Sequence, residues 1–175
     1  MTSNSEGAEE KVHLQFLCAA SCELCADVTE WCPVPGFQDI LAYGTYQLDE
    51  ASGQRRGCLH IARLTAAGDS DCRAALSLES ELSMPGVYDV AWAPPSGEEL
   101  TSSLGSSATL VLAVAGADGA LRLVRIAGSG AGCEAELATA PCTLLEEGIL
   151  THVAWGASGS NGLAAVGQDG AAHHV

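Results

Sequence analysis

The chain has 175 residues, enough for one domain with its own apolar core. Its 22 acidic and 7 basic side chains give a formal charge of -15, and the basic residues form no cluster, so direct binding of nucleic acid is not expected. No apolar run approaches the ~20 residues of a membrane span, and the acidic start MTSNSEGAEEK is unlike a secretory signal, so we expect no membrane association and a reducing, cytoplasmic compartment.

The N-terminal part of the chain predicts a tail followed by a strand. Residues 1-11 are polar and acidic and are expected to form a disordered tail, and residues 12-175 the domain. Val12 to Ala19 alternates apolar and polar residues, which is typical of a strand.

Three cysteines follow in the spacing C-x-x-x-C-x-x-C: Cys18, Cys22 and Cys25. This pattern fits either the first half of a metal site or structural thiols. Zinc requires four ligands, and the later cysteines, among them Cys58 and Cys133, look isolated in the sequence. We therefore expect free, structural cysteines and no metal.

One pattern recurs three times along the chain. A strand carrying Trp31, Trp92 or Trp155 is followed by a Gly- or Pro-rich turn and an apolar run that ends in glycine: ILAYG, LAVAG and LAAVG. Each pattern indicates a strand, a turn and a second strand. The predicted inner strands are Val28 to Pro33, Val87 to Ala93 and Leu150 to Gly156, hairpinned to Ile40 to Gly44, Thr109 to Ala115 and Gly162 to Val166.

Asp-Gly turns follow the second and third apolar runs, at Asp118-Gly119 and Asp169-Gly170. Asp-Gly between two strands is a strong hairpin signal, and both aspartates are expected to bond backbone N-H groups of the turn. Repeated short strands with such turns are the signature of a WD40-type β-propeller.

The spacing and number of the repeats bear on the architecture. The tryptophans lie roughly 60 residues apart, more than the ~40-45 of a WD repeat, and the surplus is expected in loops at Gln47 to Gly57 and Ser96 to Ser107. A propeller closes with at least ~4 blades, and this chain supplies about two and a half. We predict an all-β, incomplete WD40-type propeller, the N-terminal part of a longer protein, with all three tryptophans packed between neighbouring blades.

The first repeat carries a resemblance to a known family. EWCP at Glu30 to Pro33, the glycine at Gly36 and LAYGTYQL at Leu41 to Leu48 resemble the opening blade of the WD-repeat diphthamide biosynthesis protein 7 family, described as diphthine methyl ester hydrolases. The resemblance implies that the complete protein removes a methyl ester from diphthine on translation elongation factor 2, before the amidation step. We expect no cofactor. The alternative is a non-enzymatic protein-interaction scaffold, the common role of WD propellers.

Ester hydrolysis needs a nucleophile or activated water, a base and donors for the oxyanion. The sequence displays no complete set and no G-x-S-x-G elbow. His152 is the candidate base, because it lies three residues before Trp155 on an inner strand that would face a central channel. The alternative is a histidine that hydrogen-bonds a turn in a neighbouring blade.

The implied substrate also carries a fixed quaternary ammonium beside the ester, which carboxylates and aromatic faces would attract. The candidates at the predicted channel mouth are Glu30, Tyr88 and Asp89. Tyr43 and Tyr46 are weaker candidates, because the second strand is expected to pack between blades.

Overall fold

The structure is a computed structural model that describes residues 18-66, 74-95, 108-129, 132-156 and 162-175. The expected tail, most of the expected strand at Val12 to Ala19, and the surplus loop at Ser96 to Ser107 lie outside these residues. Within them every regular element is a β-strand, and the strands form three antiparallel sheets. No described segment is a helix long and apolar enough to cross a membrane.

Each sheet is one blade. Blade 1 has the order β1 (Cys25–Trp31), β2 (Ile40–Leu48), β3 (Arg55–Ala66) and β4 (Ala74–Met84). Blade 2 has the order β5 (Val87–Trp92), β6 (Ala108–Gly116), β7 (Ala120–Ser129) and β8 (Gly132–Leu137), with β9 (Cys142–Thr143) also paired to β7. Blade 3 has β10 (Leu150–Trp155), β11 (Leu163–Gly167) and β12 (Ala172–His174). The fold is therefore all-β, with the blades of an incomplete β-propeller.

The predicted hairpins are confirmed, and their registers agree. Trp31 pairs with Leu41, Trp92 with Leu112 and Trp155 with Leu163. Each inner strand also has an irregularity at the same distance before its tryptophan, between Ala26 and Val28 in the first blade. The equivalent bulges lie at Val87/Asp89 and Leu150/His152. An inserted residue increases the local twist of a strand, so all three inner strands bend at the same position relative to their tryptophan.

The two Asp-Gly turns are also confirmed. Gly119 and Gly170 have φ of +73° and +75°, a backbone conformation that L side chains rarely adopt. Each preceding aspartate accepts a backbone N-H two residues on, Asp118 from Ala120 at 3.4 Å and Asp169 from Ala171 at 3.0 Å. The loop expected from Gln47 to Gly57 is shorter than predicted, since β2 continues to Leu48 and β3 begins at Arg55.

The apolar core lies between the blades rather than within a sheet. One cluster joins blades 1 and 2 and includes Ile61, Val87 and Leu112, while a second joins blades 2 and 3 and includes Ala113 and Leu163. Because successive side chains of a strand point to opposite faces, β6 contributes to both clusters. The nearly continuous apolar sequence of β6, ATLVLAVAG, fits this arrangement, because a strand buried on both faces needs apolar residues at successive positions.

Two of the three tryptophans pack against the preceding blade. The indole N-H of Trp92 donates to the Glu30 carbonyl oxygen at 3.1 Å, and that of Trp155 to the Ala91 carbonyl oxygen at 2.8 Å. The prediction was wrong for Trp31, which is 47% exposed. Trp31 lies on the first blade, and among the described residues no blade precedes it to supply an equivalent carbonyl group.

Candidate functional site

The three inner strands border one open groove, with a volume of about 640 Å³. Glu30 of β1, Asp89 of β5 and His152 of β10 all line it. The structure therefore brings three of the four sequence-predicted site residues together, one from each blade. The inner-strand position of each residue, a few places before its tryptophan, accounts for this convergence.

Asp89 and His152 form a pair across the boundary between blades 2 and 3. Asp89 Oδ2 lies 2.5 Å from His152 Nδ1 and also accepts the backbone N-H of Val153 at 2.9 Å. The Asp89 side chain is only 15% exposed, whereas that of His152 is 66% exposed. A carboxylate held by the Val153 N-H thus lies against the imidazole of His152, which is exposed to solvent at the groove. The partner of His152 is a carboxylate on the neighbouring inner strand, not the turn considered from the sequence.

Glu30 occupies the equivalent boundary between blades 1 and 2. Its Oε2 accepts the backbone N-H of Trp92 at 3.0 Å. Burial raises the pKa of the Glu30 carboxyl group, the Trp92 bond opposes this effect, and the negative charge of Asp89 adds to it. The charges of Glu30 and Asp89 therefore repel one another in the groove. Both residues also stabilise the contact between successive blades.

Tyr88 is the predicted site residue that the structure places elsewhere. It lies at the β5 bulge, between Val87 and Asp89, and its ring centroid is 4.9 Å from that of Tyr46. Burial, followed by the hydrogen bond and the charge interaction with Tyr46, raises the pKa of Tyr88 to about 12. Tyr88 is the extra residue of this bulge, and its ring packs against Tyr46 and does not line the groove, whereas its neighbour Asp89 does. Both weaker tyrosine candidates, Tyr43 and Tyr46, also lie outside the groove.

A second cluster of side chains with possible metal-binding atoms lies on blade 1, where we expected only isolated cysteines. Cys58 and His60 are two residues apart on β3, and Glu81 is the cross-strand neighbour of His60 on β4. The ligand atoms of these three residues all lie within 4.8 Å of one another. The Cys-x-His spacing of Cys58 and His60 was the available signal, since residues i and i+2 of a strand share a face. The glutamate was not predictable from that signal, because its position depends on the β3–β4 register.

The same cluster borders a cavity of about 530 Å³, whose wall includes Cys22 and Tyr43. The Tyr43 ring stacks on the His60 ring, with centroids 4.6 Å apart and planes 10° apart. Burial lowers the pKa of His60 against the opposing effect of Glu81, and burial together with the Glu81 hydrogen bond raises the pKa of Cys58 to about 11. The cluster is thus preorganised on one face of blade 1, away from the groove.

The fold and the groove define a class: propeller blades whose inner strands present an Asp-His pair and a second carboxylate. No known protein family's sequence profile matches this chain. Over 35 residues, which are 20% of this chain, it is 60% identical to the mouse (Mus musculus) protein named diphthine methyltransferase. The matched stretch is 7% of the mouse protein. This short likeness links the chain to a diphthine-related protein.

Proposed function

We propose that this chain is part of a diphthamide-pathway protein that hydrolyses the methyl ester of methylated diphthine on translation elongation factor 2. The observation that carries the proposal is the sequence likeness: the 60% identity over 35 residues to a diphthine-related mouse protein, together with EWCP and GTYQL in the first blade.

The groove offers a chemical route for such a step. In this proposal Asp89 holds His152 through Nδ1, and His152 Nε2 takes a proton from water as the water oxygen attacks the ester carbonyl carbon. Collapse of the tetrahedral intermediate breaks the bond to the methoxy group, which leaves as methanol with a proton from His152. The products are methanol and the carboxylate of diphthine, with one proton released.

In the proposal, the carboxylates of Glu30 and Asp89 bind the cationic part of the substrate. A quaternary ammonium cannot lose its charge, and Glu30 and Asp89 line the same groove as His152. In the proposal, their negative charge attracts the ammonium while the ester lies near His152. Tyr88 has no part in this arrangement, since its ring packs with Tyr46.

A scaffold without catalytic activity is the second candidate. Glu30 and Asp89 each accept a backbone N-H from the following blade, so both have a structural use that needs no substrate. A propeller stabilised in this way could present its surface to protein partners and carry out no chemistry.

The test is a turnover assay with the full-length protein and elongation factor 2 carrying methylated diphthine. Mass spectrometry of the modified histidine should show loss of one CH₂ unit, with release of methanol. His152→Gln should reduce the rate by about 10²- to 10⁴-fold, the usual contribution of a general base. The same assay with demethylated substrate and a methyl donor distinguishes hydrolysis from the methyl transfer in the mouse protein's name.

A matched control is available in blade 3. His173 Nε2 lies 3.0 Å from Asp169 Oδ2, so it forms an Asp-His pair outside the groove. His173→Gln should leave turnover unchanged. Equal losses in the two variants, or normal diphthamide in cells that lack the full-length gene, would refute the hydrolase proposal and favour the scaffold.

A further inference from the structure

We propose that the face of blade 1 formed by Cys58, His60 and Glu81 is a zinc-binding site. It lies outside the groove, and its test does not depend on any activity of the protein. Three features support the site: the identity of the three ligands, their separation and the buried Nδ1 of His60.

The three side chains are of the types that zinc prefers. A cysteine sulfur, a histidine nitrogen and a carboxylate oxygen are the common protein ligands of Zn²⁺. Calcium and magnesium prefer all-oxygen sites, so a set with one sulfur and one nitrogen disfavours them. The set comes from adjacent strands of one sheet, which holds the ligands on a rigid scaffold.

The distances are close to those of a tetrahedral centre. Cys58 Sγ lies 3.3 Å from Glu81 Oε1, and His60 Nδ1 lies 3.3 Å from Glu81 Oε2. Ligands placed ~2.0-2.3 Å from a tetrahedral zinc are separated from one another by about 3.4-3.6 Å. All three ligand atoms lie within 4.8 Å of one another, about 1 Å or less beyond the separation in a zinc centre.

His60 provides the independent sign of a missing ligand. The residue is only 7% exposed, and its Nδ1 is buried without a hydrogen-bond partner among the described residues. Glu81 Oε2 is within ion-pair distance of this nitrogen, but the contact does not have hydrogen-bond geometry. A buried polar atom without a partner is costly, and a bound cation at this point would satisfy it.

The surroundings support a site with three protein ligands and one water. Tyr43 stacks on the His60 ring and fixes its orientation, and Ser83 Oγ lies 3.8 Å from Cys58 Sγ. Groups that orient the ligands in this way are a regular part of metal sites. Cys22 lines the adjoining cavity, but its thiol already donates to the Leu24 carbonyl oxygen at 3.0 Å. The adjoining cavity is large enough to hold a water molecule as a fourth ligand.

The site is tested by metal binding to the 175-residue chain after treatment with a chelator. Titration with Zn²⁺ should give one tight site per chain, and Co²⁺ at the same site should show the charge-transfer absorption of a cobalt-thiolate bond. Cys58→Ser should abolish this absorption. Glu81→Gln should weaken zinc binding by at least about 10-fold, the lower end of the effect of removing even an outer-shell partner.

One further variant, together with a folding check on Glu81→Gln, makes the result decisive. Cys142→Ser removes an exposed thiol on β9 of blade 2 and should leave binding and absorption unchanged. Glu81 is exposed, so Glu81→Gln should fold even if Cys58→Ser does not, which circular dichroism would establish. The proposal is wrong if the unaltered chain binds zinc no more tightly than Glu81→Gln does. It is also wrong if cobalt-thiolate absorption persists in Cys58→Ser.

Discussion

Asp89 illustrates how one residue can serve both the groove and the contact between blades. Its carboxylate contacts the Val153 N-H and the His152 ring, both on the next blade. Glu30 makes the equivalent contact with Trp92. Amide replacements keep an oxygen that can accept the backbone N-H and remove only the charge, so they separate the two uses of these residues.

The first prediction concerns charge in the groove. In the full-length protein, Glu30→Gln with Asp89→Asn should weaken binding of the methylated substrate, while either single change should lower affinity only several-fold. One ion contact between a partly exposed carboxylate and a quaternary ammonium contributes about 1 kcal/mol or less, which is a several-fold change in affinity. Added salt should affect the double variant less than the unaltered protein. Titrations at two salt concentrations measure both effects; unchanged affinity and salt dependence would assign the carboxylates to blade packing alone.

The second prediction concerns pH and the Asp118-Arg122 pair. Arg122 is 6% exposed, and its guanidinium donates to both oxygens of Asp118, at 2.9 Å and 2.5 Å. Burial alone would raise the pKa of Asp118, but the hydrogen bonds and charge of Arg122 outweigh it and lower the pKa below the ordinary 3.8. The folded state therefore binds this proton less readily than the unfolded chain, so the stabilisation is complete above the unfolded pKa and is lost as pH falls through the folded one.

Asp118→Asn should lower stability at neutral pH and flatten the loss of stability below about pH 4, where the carboxylate of the unfolded chain is protonated. Denaturant unfolding at a series of pH values measures this. The exposed pair Arg125-Glu136 offers the control. Glu136→Gln should change neither the stability at neutral pH nor the loss of stability in acid appreciably. Parallel acid curves for Asp118→Asn and the unaltered chain would contradict the assignment.

At the scale of the strand, the tryptophan at the end of each inner strand joins one blade to the previous one. Trp92 is 4% exposed and donates to the Glu30 carbonyl oxygen, whereas Trp31 is 47% exposed. The two residues hold the same register position in their blades, opposite Leu112 and Leu41. Their difference in burial therefore isolates the contribution of the contact between blades.

The third prediction uses this matched pair. Trp92→Phe should lower the free energy of unfolding by about 1-3 kcal/mol, because it leaves the Glu30 carbonyl oxygen without its donor and removes buried ring atoms. Trp31→Phe should change it by less than about 0.5 kcal/mol. Chemical denaturation monitored by circular dichroism measures both. Similar losses for the two variants would mean that the Trp92 hydrogen bond does not stabilise the boundary.

At the scale of the whole molecule, the faces of blades 1 and 3 that point away from blade 2 are less covered than the faces packed between blades. β11 of blade 3 alternates buried and exposed positions, whereas β6 of blade 2 is buried on both faces. The exposed large apolar side chains include Trp31 and Leu78 on blade 1 and Val166 on blade 3. Uncovered apolar faces and strand edges favour association with other chains.

The fourth prediction is that the 175-residue chain self-associates at micromolar concentration. Sedimentation velocity should show a mass that rises with concentration. Replacing Trp31 and Leu78 with lysine should reduce association, since both changes place charge on the exposed face of blade 1. A monomer with a sharp, cooperative melting transition would contradict this prediction.

The local sequence pattern was sufficient to predict the hairpins, because strand pairing within a blade depends on neighbouring residues. The tryptophans, the apolar runs and the two Asp-Gly turns placed β1/β2, β5/β6 and β10/β11 correctly. The repeated glycine was a less reliable guide. Thr45, and not Gly44, holds the register position of Gly116 and Gly167.

The amino-acid sequence by itself thus determined the all-β class, the repeated unit and the inner-strand positions of Glu30, Asp89 and His152, since each depends on short-range periodicity. Only the tertiary structure decided that Tyr88 lies outside the groove, because Tyr88 is itself the extra residue of the bulge and its ring packs against Tyr46. The structure also decided that Glu81 joins Cys58 and His60. The contact of Glu81 with these two residues depends on the register of β3 against β4. This register is set by packing across the whole sheet and is not encoded in any short window of sequence.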